Sequence, residues 1–279
     1  RIQRDTQLKH SGMTRVWMDQ GGTFTDVVRV DPSGNVHIKK VLSDAADLSA
    51  LAAGANDVRR GTTAATNALL ERTGQPTLLI TNRGFGDLIE MGDGRRPELF
   101  ALNIQRPQPL TSAVLEIDGR LDANGNEIEP LTIDRSALKA HHAAGINSVA
   151  IVLIHGPVCP THEQTVANLC TEMGFETVRT GHSIAPSKGF LRRIHTTVAD
   201  ASLSPLLPTA SGLYMRSDGG LSRRDEWSGS QAILSGPAGG VVATAALAEA
   251  AGVGPAFGLD MGGTSTDVCR VDGEPERSD

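Results

Sequence analysis

One short pattern occurs twice, close to the two ends of the chain. Residues 17–31 read WMDQGGTFTDVVRVD and residues 258–272 read GLDMGGTSTDVCRVD, and ten of the fifteen aligned positions are identical. The copies start 241 residues apart, whereas the units of a solenoid or propeller recur every 20 to 50 residues or so. The chain therefore contains one local motif twice and is not a tandem array of repeats.

Each copy is predicted to form a β-hairpin. Asp19 and Asp260 end short strands, a Gly-Gly pair is expected to turn the chain with positive φ angles, and an alternating run follows as the second strand. Such a turn lets backbone N–H groups approach a phosphate, threonine hydroxyls add donors, and a carboxylate can hold hydrated Mg²⁺. One copy alone favours a plain hairpin with polar turn residues, but two near-copies favour phosphate binding. No G-x-x-x-x-G-K-[ST] motif occurs, which excludes a P-loop.

Charge and composition exclude several other classes of protein. The net charge is −6 and no stripe of Lys or Arg occurs, which argues against nucleic-acid and anionic-membrane partners. The longest aliphatic run is the six residues 149–154, far shorter than a bilayer span. The three cysteines, at positions 159, 170 and 269, are odd in number and widely spaced, which is typical of reduced thiols in a cytoplasmic protein.

The stretch between the hairpins alternates strand and helix patterns. Strands are expected at 36–42, 77–81, 148–154, 176–180 and 212–217, and helices after 61, at 133–144, 161–173 and 190–207. Thr161 to Gln164 matches a capping box that would start one helix. His155, Cys159 and His162 lie close in sequence, but two prolines interrupt them and a fourth ligand is missing, so zinc is disfavoured.

Two segments are glycine-rich. Residues 231–250 predict a strand, a turn and a helix of small residues, which either contacts phosphate directly or connects two domains as a hinge; the hinge is favoured. Residues 83–100 form a long, polar, irregular connection of the kind that often carries function.

The duplicated D-x-G-G-T-x-T-D pattern resembles the two phosphate hairpins of the superfamily that contains acetate and sugar kinases, heat-shock chaperones and actin. The resemblance implies an α/β fold: an actin-like (ribonuclease H-like) ATPase domain with a mixed sheet. In that superfamily two related domains face each other, each contributes one hairpin, and ATP lies between them.

Longer segments resemble the hydantoinase A/5-oxoprolinase family, and within it most closely the ATP-dependent 5-oxoprolinases. The matching segments occur in family order at residues 17–28, 61–72, 83–92, 95–104, 216–222, 233–242 and 259–268. The implied reaction opens 5-oxoproline to glutamate with ATP and Mg²⁺, by phosphorylation of the amide oxygen, in pyroglutamate and glutathione metabolism. The alternatives are a hydantoinase or ketone carboxylase subunit, or a non-catalytic truncated chain that binds a partner chain.

The resemblance also implies roles for individual residues. Asp19 and Asp260 would hold Mg²⁺ or orient the nucleophile, while Asp26 and Asp267 would brace the turns. The implied phosphate contacts are Gly21, Gly22, Thr23 and Thr25 on one side and Gly262, Gly263, Thr264 and Thr266 on the other. The candidates for the cyclic-amide substrate are Thr62, Thr63, Asn67, Arg95 and Arg96, although the two arginines alone equally fit a solvated surface pair.

The same resemblance predicts how the chain is organised. Residues 1–14 are expected to be a leader or disordered arm, 15–257 the family's N-terminal domain, and 258–279 the truncated start of the second ATPase domain. A hydantoinase B-like region or subunit is an expected partner, and a homo-oligomer is possible. The sequence does not distinguish a shortened gene product from a cloned portion or a split subunit.

Overall fold

The computed structural model describes residues 12–44, 47–95, 100, 102–103, 107–187, 189–261 and 266–273. The strands are β1 (Arg15–Gln20), β2 (Phe24–Val30), β3 (Val36–Leu42), β4 (Asp57–Thr62), β5 (Thr77–Asn82), β6 (Ala113–Leu121), β7 (Glu127–Thr132), β8 (Ser148–Val152), β9 (Thr177–Thr180), β10 (Leu213–Met215), β11 (Leu221–Arg223), β12 (Ala256–Met261) and β13 (Thr266–Val271). The α-helices are α1 (Leu48–Leu51), α2 (Ala64–Glu71), α3 (Leu88–Met91), α4 (Arg135–Ala143), α5 (Thr161–Glu172), α6 (Gly181–Ile184), α7 (Phe190–Leu203), α8 (Gly229–Ala232) and α9 (Ser235–Ala251).

The chain divides into two compact units. The first unit combines Arg1–Glu71 with Leu207–Asp279, and the second is Arg72–Leu206. The first unit contains a six-stranded sheet in the order β11-β10-β4-β1-β2-β3 and a separate two-stranded hairpin, β12-β13. Strands β1, β4 and β10 run parallel, whereas β2, β3 and β11 pair antiparallel with their neighbours. The sheet is therefore mixed, and both predicted hairpins and the strand at 36–42 are confirmed.

A small apolar cluster covers one face of the first sheet. Val16, Met18 and Val27 are buried, in keeping with the period-2 alternation of β1 and β2, and they pack against apolar side chains of α1 and the loop after it. Burial of this face fixes the register of the β1-β2 hairpin, because a one-residue slip would turn these side chains to solvent.

Helix α9 joins the six-stranded sheet to the second hairpin within the first unit. It packs against β4 and β10 and also against β12 and β13. Glycines allow both contacts to be close, since an added Cβ at Gly236 would lie 2.8 Å from Thr63 Cγ2 and one at Gly258 would lie 2.3 Å from Thr244 Oγ1. The predicted small-residue helix is confirmed. The strand predicted just before it is wrong, because residues 229–232 form α8, which starts with a Ser228–Gln231 capping box.

The second unit is a five-stranded sheet with helices on both faces, in the order β7-β6-β5-β8-β9. Strands β5 and β8 are buried at every position, as expected of parallel strands covered on both faces. Leu78 and Ile80 pack toward α4 and α5, while Leu79 packs toward α7. None of the described helices has the length and apolar character needed to cross a membrane.

The predicted capping box at Thr161 is wrong. Helix α5 starts after Pro160, which occupies the N-cap position, so Glu163 falls at the third helical position. In a capping box, the backbone N–H of the N-cap residue donates a hydrogen bond to the side chain at the third helical position, and proline has no such N–H. The Glu163 carboxylate instead accepts hydrogen bonds from Leu153 N at 2.9 Å, His182 N at 2.8 Å and His182 Nδ1 at 2.6 Å.

Candidate functional site

Parallel pairing of β1 with β4 brings the first glycine turn beside the start of α2. In this register Asp19 lies opposite Gly61, and Gln20 lies opposite Thr62. Both strands therefore end at the same edge of the sheet, β1 in the Gly21–Gly22 turn and β4 at the helix start. Segments that are about 40 residues apart in sequence meet there through sheet geometry.

A cavity of about 270 Å³ opens at this edge of the sheet. It unites five residues that the sequence assigned to phosphate or substrate with four that it did not. The lining residues are Gln20, Gly21, Gly22, Ser43, Asp44, Thr62, Thr63, Ala64 and Asn67. Two glycines, three hydroxyl-bearing residues and the side-chain amides of Gln20 and Asn67 thus line one space.

The first turn is held by a hydrogen bond across the turn and by two from Ser43, the residue after β3, and not by left-handed glycines. Neither Gly21 nor Gly22 has a positive φ, so the expectation of positive φ is wrong at this turn. Gly21 N donates to Phe24 O at 2.9 Å, and Ser43 N donates to Thr23 O at 3.0 Å. The Ser43 hydroxyl donates to Gly21 O at 2.8 Å.

The threonines beside the cavity differ in accessibility. Thr25 is fully buried with its hydroxyl 2.9 Å from Ser43 Oγ, and Thr23 is exposed. Thr62 is also buried; its Oγ1 accepts from Ala64 N at 3.1 Å, which caps α2. Thr63 and Asn67 are half-buried on the cavity wall, and Asn67 Nδ2 donates to Thr63 Oγ1 at 3.4 Å. Thr63 and Asn67 are thus the predicted substrate residues whose side chains remain accessible here.

Asp19 lies directly beside this cavity, on β1. A Cβ on Gly61 would lie 3.2 Å from Asp19 Oδ1, so the missing side chain at position 61 makes room for the carboxylate. The protein atoms around Asp19 raise the pKa of its carboxyl group by desolvation, even though the residue is exposed on the surface. The charges of Asp260 and Asp26 raise that pKa further. Lys40 acts in the opposite direction and pairs with Asp26 at 2.7 Å.

The second hairpin repeats the register of the first. Asp260 lies opposite Asp267, as Asp19 lies opposite Asp26. A cavity of about 280 Å³ is lined by residues of α9 and of this hairpin: Pro237, Gly240, Val241, Thr244, Gly258, Leu259, Asp260, Asp267, Val268 and Cys269. Thr266 is exposed opposite Met261, while the predicted residues Gly262, Gly263 and Thr264 lie outside the described residues.

The carboxylates suit a cation that is held mainly by phosphate and water. Across the described ranges, His, Cys, Asp and Glu side chains form no group of three or more that could hold a metal ion. Magnesium does not need one, since it is commonly bound by one or two carboxylates together with substrate phosphates and waters. Asp19 and Asp260 are near enough for the charge of Asp260 to raise the pKa of Asp19.

The predicted arginines belong to the other part of the chain. Arg95 is in the second unit, with a side chain 86% exposed and paired with Asp93 at 3.0 Å. Arg96 lies outside the described residues. Upstream, the amides of Gly84, Phe85 and Gly86 all donate to Glu116 Oε1, at 2.8, 3.1 and 2.8 Å, which anchors the start of the long glycine-rich connection.

Comparison with known proteins agrees with the fold and with the paired hairpins. Residues 15–174 match the family described as Hydantoinase/oxoprolinase N-terminal region, and residues 191–279 match the one described as Hydantoinase/oxoprolinase. The 5-oxoprolinase of Saccharomyces cerevisiae is 34% identical over a match that covers 93% of this chain and 26% of the yeast protein. The caprolactamase alpha subunit of Pseudomonas jessenii is 30% identical, over 91% of this chain and 43% of that subunit.

A solved structure of acetone carboxylase, an enzyme of ATP-dependent carboxylation, matches with a TM-score of 0.79 at 23% identity, over 93% of this chain and 44% of that one. The predicted α/β fold with mixed sheets is confirmed. The protein is thus an α/β protein that carries the same hairpin twice. It belongs to the hydantoinase/oxoprolinase family, and it spans about 26% of the length of the curated 5-oxoprolinases that it matches.

Besides Gln20 and Ala64, which adjoin predicted residues, sequence reasoning missed Ser43 and Asp44 of the cavity lining and Gly61 beside Asp19. Ser43 follows β3 as an ordinary polar residue, Asp44 lies in a short polar loop, and Gly61 was interpreted as part of a loop before a helix. Only strand pairing across the sheet brings these positions to the turn. The weak local signal was Gly61 itself, since a glycine inside a strand often marks close approach by another group.

Proposed function

We propose that this chain supplies the phosphate-binding part of an ATP-dependent cyclic-amide hydrolase of the 5-oxoprolinase type. The observation that carries the proposal is the cavity at the first turn, where Gly21 and Gly22 share one wall with Thr63 and Asn67. The second hairpin, with its carboxylates in the same register, supports an opposed phosphate contact through Gly262, Gly263 and Thr264.

ATP would supply the phosphoryl group: the amide oxygen of the ring would bond to the γ-phosphorus as ADP leaves. Water would attack the activated carbon, the ring C–N bond would break with the nitrogen taking a proton, and hydrolysis of the resulting acyl phosphate would release inorganic phosphate. Phosphoryl transfer of this kind depends mainly on positioning and charge stabilisation. In the proposal Gly22 and Thr23 donate to phosphate oxygens, while Gly21 shapes the turn, because its N–H donates to Phe24 O. Thr25 contributes through the turn, because its hydroxyl is buried against Ser43.

Asp19 and Asp260 would hold Mg²⁺ in this proposal. Magnesium would offset the negative charge of the phosphates and of the two carboxylates. Burial raises the pKa of Asp19, and the charge of Asp260 raises it further. Thr63 and Asn67 would hydrogen-bond the cyclic amide from the cavity wall. Arg95 and Arg96 are further proposed substrate residues, as the resemblance implies, and Arg95 pairs with Asp93.

A hydantoinase B-type region or subunit is the proposed partner for ring opening. The caprolactamase relative carries the designation alpha subunit, which supports division of the reaction between chains in this family. The ketone carboxylase alternative rests on the likeness to acetone carboxylase, which shows the fold alone at 23% identity.

The test measures ADP release and ring opening in parallel, with the protein that carries this chain and a hydantoinase B-type partner. The candidate substrates are 5-oxoproline, hydantoin, caprolactam, and acetone with bicarbonate, each with Mg-ATP. We expect one ADP to be released for each ring opened, and we expect 5-oxoproline to be opened faster than the other amides. ADP release that depends on acetone and bicarbonate alone would contradict the proposal and support a carboxylase; ring opening without ADP would also contradict it.

A further inference from the structure

Ser43 makes three hydrogen bonds that converge on the first glycine turn. Its backbone N–H donates to Thr23 O at 3.0 Å, its hydroxyl donates to Gly21 O at 2.8 Å, and its Oγ lies 2.9 Å from Thr25 Oγ1. Because Ser43 directly follows β3, where Leu42 pairs with Phe24, the residue extends the β2-β3 ladder into the turn.

The direction of these bonds follows from the number of protons. A serine hydroxyl has one proton to donate, and here it goes to Gly21 O, so Ser43 Oγ must accept from the Thr25 hydroxyl. The Thr25 hydroxyl therefore donates to Ser43 Oγ, and the Ser43 hydroxyl donates to the Gly21 carbonyl. Thr25 is fully buried, and Ser43 is half-buried on the cavity wall.

The Gly21 carbonyl belongs to the peptide unit that carries the Gly22 N–H. In a planar trans peptide the two groups point in opposite directions, so fixing the carbonyl toward Ser43 fixes the N–H away from it. Glycine on both sides makes this peptide unusually free to rotate, because glycine adopts positive and negative φ with similar ease. A flipped peptide would present its carbonyl oxygen where the N–H now points.

We propose that Ser43 is a positioning residue that holds the Gly21–Gly22 peptide in the orientation required for its N–H to donate to a nucleotide phosphate. This inference rests on the proposed function of the turn. A flip would replace a donor with a carbonyl oxygen that repels phosphate. Ser43 thus acts through the peptide, and its own hydroxyl is already committed to Gly21 O.

The experiment titrates Mg-ATP, and separately inorganic tripolyphosphate, into the ¹⁵N-labelled chain and follows amide chemical shifts. Ser43→Ala removes the hydroxyl, Ser43→Cys replaces it with a weak donor of similar shape, and Ser43→Thr keeps it. Ser49→Ala, at an exposed position of α1, is the matched control. We expect Ser43→Ala to raise the Kd of both ligands about tenfold and Ser43→Cys about threefold, with Ser43→Thr and Ser49→Ala within about twofold of the parent.

A purely structural role predicts a different pattern, in which the loss of affinity follows a loss of thermal stability and Ser43→Thr does not rescue it. A Kd unchanged in Ser43→Ala and Ser43→Cys, in a chain where Gly22→Val abolishes binding, would overturn the positioning role and leave the proposed function standing. If Gly22→Val also left the Kd unchanged, both the positioning role of Ser43 and the proposed phosphate-binding function would be overturned.

Discussion

A Gly22→Val variant is expected to lose Mg-ATP binding while it keeps its fold. Gly22 is exposed at the turn and lines the cavity, so three added carbons would occupy space proposed for phosphate. The backbone at Gly22 is not left-handed, and valine therefore adds no strain of that kind. A steric block of this sort should raise the Kd by more than about 100-fold, which corresponds to about 3 kcal/mol.

Gly189→Val is the matched control for this substitution. Gly189 is exposed in the second unit, its φ is −57°, and an added Cβ there would meet nothing within 4 Å. Binding is measured by amide chemical-shift titration and folding by circular dichroism. The phosphate assignment would be wrong if Gly22→Val bound Mg-ATP as the parent does, or if both variants lost binding to the same extent.

Glu163→Ala is expected to destabilise the second unit by about 3–5 kcal/mol. The Glu163 side chain is fully buried and joins the end of β8 to the start of α6 through Leu153 and His182. Alanine would leave two backbone N–H groups without this acceptor and open a cavity beside Gly156, where an added Cβ would lie 2.4 Å from Glu163 Oε1. Glu163→Gln keeps one oxygen and should cost less.

Native-state hydrogen exchange of the β8 amides measures this loss within the second unit itself. Trp17 and Trp227 both lie in the first unit, so tryptophan fluorescence would report on the other part of the chain. Glu172→Ala is the control on the same helix, because Glu172 is exposed and pairs with Arg135 at only 3.8 Å. We expect the control to change the free energy of opening by less than about 0.5 kcal/mol. A loss below about 1 kcal/mol for Glu163→Ala would contradict the buried-anchor interpretation.

Local patterns were sufficient to predict both hairpins, because a glycine pair between alternating runs defines a hairpin without help from the rest of the chain. Strand β4 was missed, since its sequence DVRRGT is charged. Arg60 is nevertheless buried there, with its guanidinium near Met18 Sδ at 3.1 Å and Ser211 O at 3.4 Å. The strand exists because β1 and β10 pair with it on both sides, and that is a property of the tertiary structure.

In the candidate site, too, the local motifs could be predicted from sequence, but their assembly by the tertiary structure could not. The sequence placed Gly21, Gly22, Thr62, Thr63 and Asn67 in two separate motifs, and the parallel register of β1 and β4 unites them at one cavity. The sequence could not reveal that the Thr25 hydroxyl is hydrogen-bonded within the protein, because its partner, Ser43, is brought to the turn by strand pairing. The boundary predicted at residue 258, and the roles of Gly262, Gly263, Thr264 and Arg96, stay predictions.

The most direct test of the central claim is an amide chemical-shift map of the unmodified chain during titration with Mg-ATP, Mg-ADP and adenosine. We predict that the largest phosphate-dependent shifts fall on the amides of Gly21, Gly22 and Thr23 in the first turn, and that adenosine leaves those amides unmoved. Shifts that avoid the cavity at near-saturating Mg-ATP, or that adenosine reproduces there, would contradict phosphate binding at the first hairpin.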